Sequence, residues 1–77
     1  MTRPGWIKLT KYEPDVISPS DTSVIYINTD HIQSVYEEVE DNGDIITVID
    51  LVTGRHLVTE VLELVLQMIE TARILKT

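Results

Sequence analysis

Two histidines, a cluster of carboxylates, a group of serines and four large aromatics are the side chains here with the chemistry to act on a ligand. Their spacing decides what each can do. His31 follows a turn and His56 lies in a short strand-like stretch. With no cysteine and no second histidine at ligand spacing, both are read as structural or surface residues rather than as metal ligands or a proton shuttle. Glu37, Glu38, Glu40, Asp41 and Asp44 surround Gly43. Hard cations such as Ca²⁺ take oxygen ligands of this kind, but the run does not match the twelve-residue calcium loop. It is read as a solvated hairpin tip, with a cation site at Glu40, Asp41 and Asp44 as the alternative. Ser18, Ser20 and Ser23 have no histidine base or strained elbow beside them, so nucleophilic catalysis is not expected. The three glycines stand alone and form no phosphate-binding loop. No catalytic residue, no cofactor and no metal site is expected, and the protein is read as a non-enzyme.

Trp6, Tyr12, Tyr26 and Tyr36 could stack on bases, with Arg3, Lys8, Lys11 and Arg55 supplying charge. Charge argues against it. The chain carries 6 Lys plus Arg against 13 Asp plus Glu, a formal net charge of -7, which repels phosphate backbones and anionic membranes. The aromatics are therefore read as core or interface residues. No apolar run approaches the roughly 20 residues of a membrane span, and Met1 to Trp6 lacks the apolar segment of a signal peptide, so a cytoplasmic location is the expectation.

The elements that must hold these side chains follow from hydrophobic period. Residues 1–5 are read as a flexible N-terminus, 6–58 as β-rich and 59–76 as a helix, all in one domain. Trp6 to Thr10 alternates, with Ile7 and Leu9 on one face. Tyr12 to Thr22 holds two prolines, acids and serines around Val16 and Ile17, a loop with a small apolar anchor. Ser23 to Ile27 is β-branched and aromatic, and Asn28-Thr29-Asp30 is turn chemistry in which Asp30 closes an Asx-type turn. Ile32 and Val35 sit three apart, which predicts a bulged strand or a helical turn leading into one. Asn42-Gly43 predicts a type I′ hairpin turn into a strand at Ile45 to Leu51. Thr53-Gly54 turns the chain again into Arg55 to Val58. The fold class is α+β: a small curled antiparallel sheet or open barrel of about five strands, followed by one C-terminal helix.

That helix carries more apolar surface than a domain of 77 residues needs for its own core. At about 100° per residue, Val61, Val65, Met68, Ala72 and Leu75 form one stripe, Leu62, Leu66 and Ile69 a second, and Leu64 widens the first. Thr59 is the available N-cap, although Leu62 stands where a capping box would place an acid. Met68 is read as a gap filler. Leu62, Leu66 and Ile69 are the candidate interface, the stripe that the sheet cannot cover. A homo-oligomer is therefore expected, together with a protein partner that the sequence does not identify.

Several segments carry a resemblance. Trp6-Ile7-Lys8-Leu9-Thr10-Lys11, Ile25 through Ile32, Val35-Tyr36-Glu37, Thr47 through Leu51 before Thr53-Gly54-Arg55, and Leu57-Val58 with Glu60 ahead of the helix resemble the flagellar FlbD family of small bacterial proteins in order and spacing. The similarity runs from residue 6 to 70. It departs from the family in the long Tyr12 to Thr22 loop and in Val61, which stands where the family often has a capping serine. It implies a non-enzymatic cytoplasmic protein connected with flagellar assembly or motor function. The general plan is also similar to that of the carbon storage regulators and Sm-like proteins, so an RNA- or DNA-binding small barrel is the alternative. An accessory structural protein of a phage or mobile element fits the same physics.

Overall fold

A computed structural model of the chain describes residues 4–13 and 23–76. Residues 1–3 and the apolar anchor Val16 and Ile17 lie outside the described residues. The elements run β1 (Trp6–Thr10), β2 (Val24–Asn28), a 3₁₀ turn (Thr29–His31), β3 (Ile32–Val39), β4 (Ile45–Leu51), β5 (Gly54–Val58) and α1 (Leu62–Lys76). β1 and β2 form one antiparallel sheet and β3-β4-β5 another. The two meet where Lys11 pairs with Val58, flanked by the Tyr12 N–H donating to the Leu57 carbonyl at 2.8 Å and the Thr59 N–H donating to the Thr10 carbonyl at 2.9 Å. The strands thus curl in the order β2-β1-β5-β4-β3 without closing into a barrel, and one C-terminal helix follows them. This is the expected α+β plan.

Local chemistry explains each turn. At the start of β1 the Gly5 carbonyl accepts from both the Thr29 N–H and the Thr29 hydroxyl at 2.8 Å. The Asn28 side chain accepts from the Asp30 N–H at 3.0 Å and caps the 3₁₀ turn, which is the expected Asx arrangement. A register shift between Ile32 and Ser34 then puts Ile32 opposite Leu51 and Val35 opposite Ile49. The spacing of three is resolved by this bulge, which lets both side chains pack on the core.

The hairpin turn at residues 41–44 is not type I′. That turn needs positive φ at Asn42, yet among the described residues only glycines have positive φ, and within this turn only Gly43 does, at 90°. The Gly43 N–H donates to the Glu40 carbonyl at 2.9 Å and the Glu40 N–H to the Asp44 carbonyl at 2.8 Å. This is a three-residue loop, a type I turn closed by a left-handed glycine. Asn42 stays out of the left-handed region and uses its side chain instead, accepting from the Asp44 N–H at 2.9 Å.

The core gathers Ile7, Leu9, Ile27, Ile49 and Val58 from the sheets against Val65, Ile69 and Ala72 of α1. β4, central in its sheet, also buries Ile46 and Val48 on its opposite face. The helix begins at Leu62 rather than Thr59, and Thr59 is not its cap. Both residues before Val61 are used elsewhere. Thr59 pairs with Thr10, while the Glu60 carbonyl accepts from the buried Thr47 hydroxyl at 2.6 Å. Val61 takes the N-cap position with an apolar side chain, its carbonyl accepting the first helical bond from the Val65 N–H at 3.0 Å.

Candidate functional site

The residues with chemical potential are spread over the surface. His31 is exposed in the 3₁₀ turn, and His56 is half-buried opposite Ile49. Among the described residues no group of three His, Cys, Asp or Glu side chains is placed to hold a metal ion. At the acidic hairpin, the Asp44 carboxylate accepts from the Tyr12 hydroxyl at 3.2 Å and from the Asn42 amide at 3.1 Å. On the outer face of the β3-β4-β5 sheet, Asp50 accepts from the Arg55 guanidinium at 3.0 Å and from the Ser34 hydroxyl at 2.9 Å. The Arg55 bond, reinforced by Ser34, holds the Asp50 carboxyl below the usual carboxylate range.

Helix α1 separates the expected interface residues. Ile69 is only 7% exposed and belongs to the core, so it is removed from the uncovered stripe. Leu62 is half-buried, and Leu66 is 48% exposed. The buried stripe is centred on Val65, Ile69 and Ala72, and the exposed apolar side chains flank it on both sides. Leu64 and Leu75 lie on one flank at 43% and 68%, Leu66 on the other at 48%, and Ile74, at 64%, stands beyond Leu66 towards the outer face of the helix. Val61 and Leu75, expected on the core stripe, are exposed.

The two flanks border different grooves. Leu66 and Ile74 line an open groove of about 480 Å³ with Ile69, Glu70 and Arg73. The Arg73 guanidinium donates to the Thr29 carbonyl at 3.2 Å. Leu64 and Leu75 line a groove of about 340 Å³ whose other wall is Trp6, Ile7 and Lys8 of β1, with Gln67, Met68, Thr71 and Ala72 between. That lining contains no carboxylate. Met68, expected as a gap filler, packs on the core and also faces this groove.

The β1 wall is a strand edge. The Lys11 N–H donates to the Ser23 carbonyl at 3.0 Å and the Thr29 N–H to the Gly5 carbonyl at 2.8 Å, so odd-numbered residues exchange hydrogen bonds with β2. Trp6, Lys8 and Thr10 turn their backbone groups the other way. Thr10 is satisfied: both Glu60 carboxylate oxygens accept from its N–H, at 3.0 and 3.1 Å, and its carbonyl accepts from Thr59. The N–H and C=O groups of Trp6 and Lys8 meet no partner among the described residues. Sequence reasoning missed this edge, because nothing in the local pattern says which side of β1 is left open. The Pro4 just before it, a residue without an N–H, is the one local sign.

No known protein family, curated protein or solved structure matches this chain.

Proposed function

We propose that the protein is a self-associating, non-enzymatic interaction module of the cytoplasm, acting as an adaptor or regulatory component. The observation that supports this reading is the exposed aliphatic surface of α1, with Leu64, Leu66, Ile74 and Leu75 uncovered on a helix of 15 residues and Val61 uncovered at its N-cap. Such a surface on a small domain favours association, because a core of this size supplies only a few kcal/mol and burial of further apolar area adds about 25 cal/mol per Å². Among the described residues no helix is long and apolar enough to cross a membrane, so α1 offers this surface to a protein rather than as a bilayer span. The net charge of -7 favours a protein partner over nucleic acid. The resemblance to the flagellar FlbD family directs the adaptor role towards flagellar assembly or motor function.

Light scattering from low to high micromolar concentration tests the reading. A homo-oligomer is expected, and a well-folded monomer at high micromolar concentration overturns it. For the flagellar role, immobilised protein should retain a flagellar component, and recovery of components of another assembly alone would set that role aside.

A further inference from the structure

We infer that the open stretch of β1 pairs with the same stretch of a second copy of this chain, antiparallel and two-fold symmetric about Ile7. The inference rests on the self-association proposed above and names the surface that carries it. Among the described residues four backbone groups are open on this edge, the N–H and C=O of Trp6 and of Lys8, and both ends of the stretch are blocked. Pro4 has no N–H to give, and the Thr10 groups are taken by Glu60 and Thr59. One antiparallel register lets these four groups meet four identical groups: Trp6 of each copy opposite Lys8 of the other, each pair exchanging two hydrogen bonds. Such pairing is isologous and closes the edge, so it stops at a dimer instead of growing into a fibre.

The side chains fit the same register. Trp6 and Lys8 stand on the sheet face opposite Ile7 and Leu9, so each Lys8 ammonium is a direct neighbour of the second copy's indole, a cation–π geometry. On the core-facing side, the symmetry brings the two α1 helices alongside each other, where Leu64 and Leu75 cover their counterparts. Charge selects the surface as well. In a chain of net charge -7, this groove is lined by Lys8 and no carboxylate, whereas among the described residues the Leu66 and Ile74 groove contains Glu70, and a groove between Tyr12, Leu57 and the hairpin tip contains Glu40 and Asp41. Two acidic copies therefore approach with least repulsion here.

Residue-resolved amide exchange tests the pairing in the intact protein. In the dimer, the Trp6 and Lys8 amides should exchange slowly, and dilution below the dissociation constant should speed them by about tenfold or more, while Ile7 and Leu9 stay slow throughout. A dimer in which the Trp6 and Lys8 amides exchange as open groups overturns this inference and leaves the self-association reading standing on another surface. A monomer at every concentration removes both. Edge amides protected only on adding an unrelated extended peptide would assign the strand to a heterologous partner, and the inference falls. Lys8→Pro deletes one outward donor at a position where an edge strand tolerates proline. It should weaken the dimer by about tenfold or more with the circular dichroism spectrum retained, and a folded Lys8→Pro protein with unchanged dimer affinity overturns the pairing.

Discussion

On the flank of α1 that faces β1, Leu64 and Leu75 stand beside the two open-edge residues Trp6 and Lys8. On the opposite flank, Leu66 and Ile74 stand with Glu70 and Arg73, and Arg73 is tied back to the Thr29 carbonyl. The exposed aliphatic residues are similar in kind and number. Their surroundings differ. Covering the second flank means desolvating a carboxylate and a guanidinium, which costs several kcal/mol per buried ion before pairing repays any of it. Covering the first satisfies backbone groups and buries mostly uncharged atoms. An exposed leucine on a small domain is thus a weak marker of an interface, and the polar groups around it decide whether association is favourable.

The largest effect outside the flanks themselves belongs to the stripe between them. Ile69→Ala should destabilise the fold by about 2–5 kcal/mol, as expected for a buried aliphatic truncated to a cavity, whereas Leu66→Ala should stay within about 0.5 kcal/mol. Urea unfolding of the two variants measures the difference. Equal losses would mean that the core stripe and the second flank are not distinct surfaces. Glu60→Ala comes next. It strips the Thr10 N–H of its carboxylate acceptor, so stability should fall by about 1–3 kcal/mol. The Thr10 amide should then exchange faster, lengthening the open edge by one residue. Unchanged Thr10 exchange would show that Glu60 does not cap the strand.

The smallest effect lies far from both flanks, at Asp50. Its carboxyl is held below the usual range by the Arg55 hydrogen bond and then by Ser34. A depressed carboxylate stabilises the fold above its unfolded-state range and loses that contribution as pH falls through the folded-state value. Asp50→Asn should therefore be slightly less stable than wild type near neutral pH, and the gap should close in acid. The pair is solvent-exposed, so the difference is small and salt-sensitive. Thermal melts at several pH values check it, and a gap that widens in acid would reverse the assignment.

The parts of this molecule that depend on hydrophobic period were legible in the sequence. Trp6–Thr10 and Ile45–Leu51 form the expected strands because their alternation survives any tertiary arrangement, and the Ile32 and Val35 spacing announced the bulge that accommodates it. What depends on contacts between distant residues was not legible. The helix starts late because Thr59 and Glu60 are claimed by Thr10 and Thr47, partners up to 50 residues away. The turn type at Asn42-Gly43 is settled by a side chain that bonds its own loop, where the dipeptide alone allows two geometries. The sequence pattern alone puts Ile69 on the uncovered stripe, because a wide apolar arc does not reveal its own centre. A shift of one stripe moves Ile69 into the core and leaves Val61 and Leu75 outside. The open edge of β1 was invisible for the same reason, since strand order is a property of the whole sheet.

Sedimentation velocity of Leu64→Glu and Leu66→Glu, run beside the wild type at the same micromolar concentrations, tests most directly whether the β1-facing flank of α1 carries self-association. Leu64→Glu should sediment as a folded monomer, since an unpaired charge buried in the proposed contact costs several kcal/mol, while Leu66→Glu should still sediment as a dimer. A monomeric Leu66→Glu beside an intact Leu64→Glu dimer would contradict the assignment and move the interface to the opposite side of the helix.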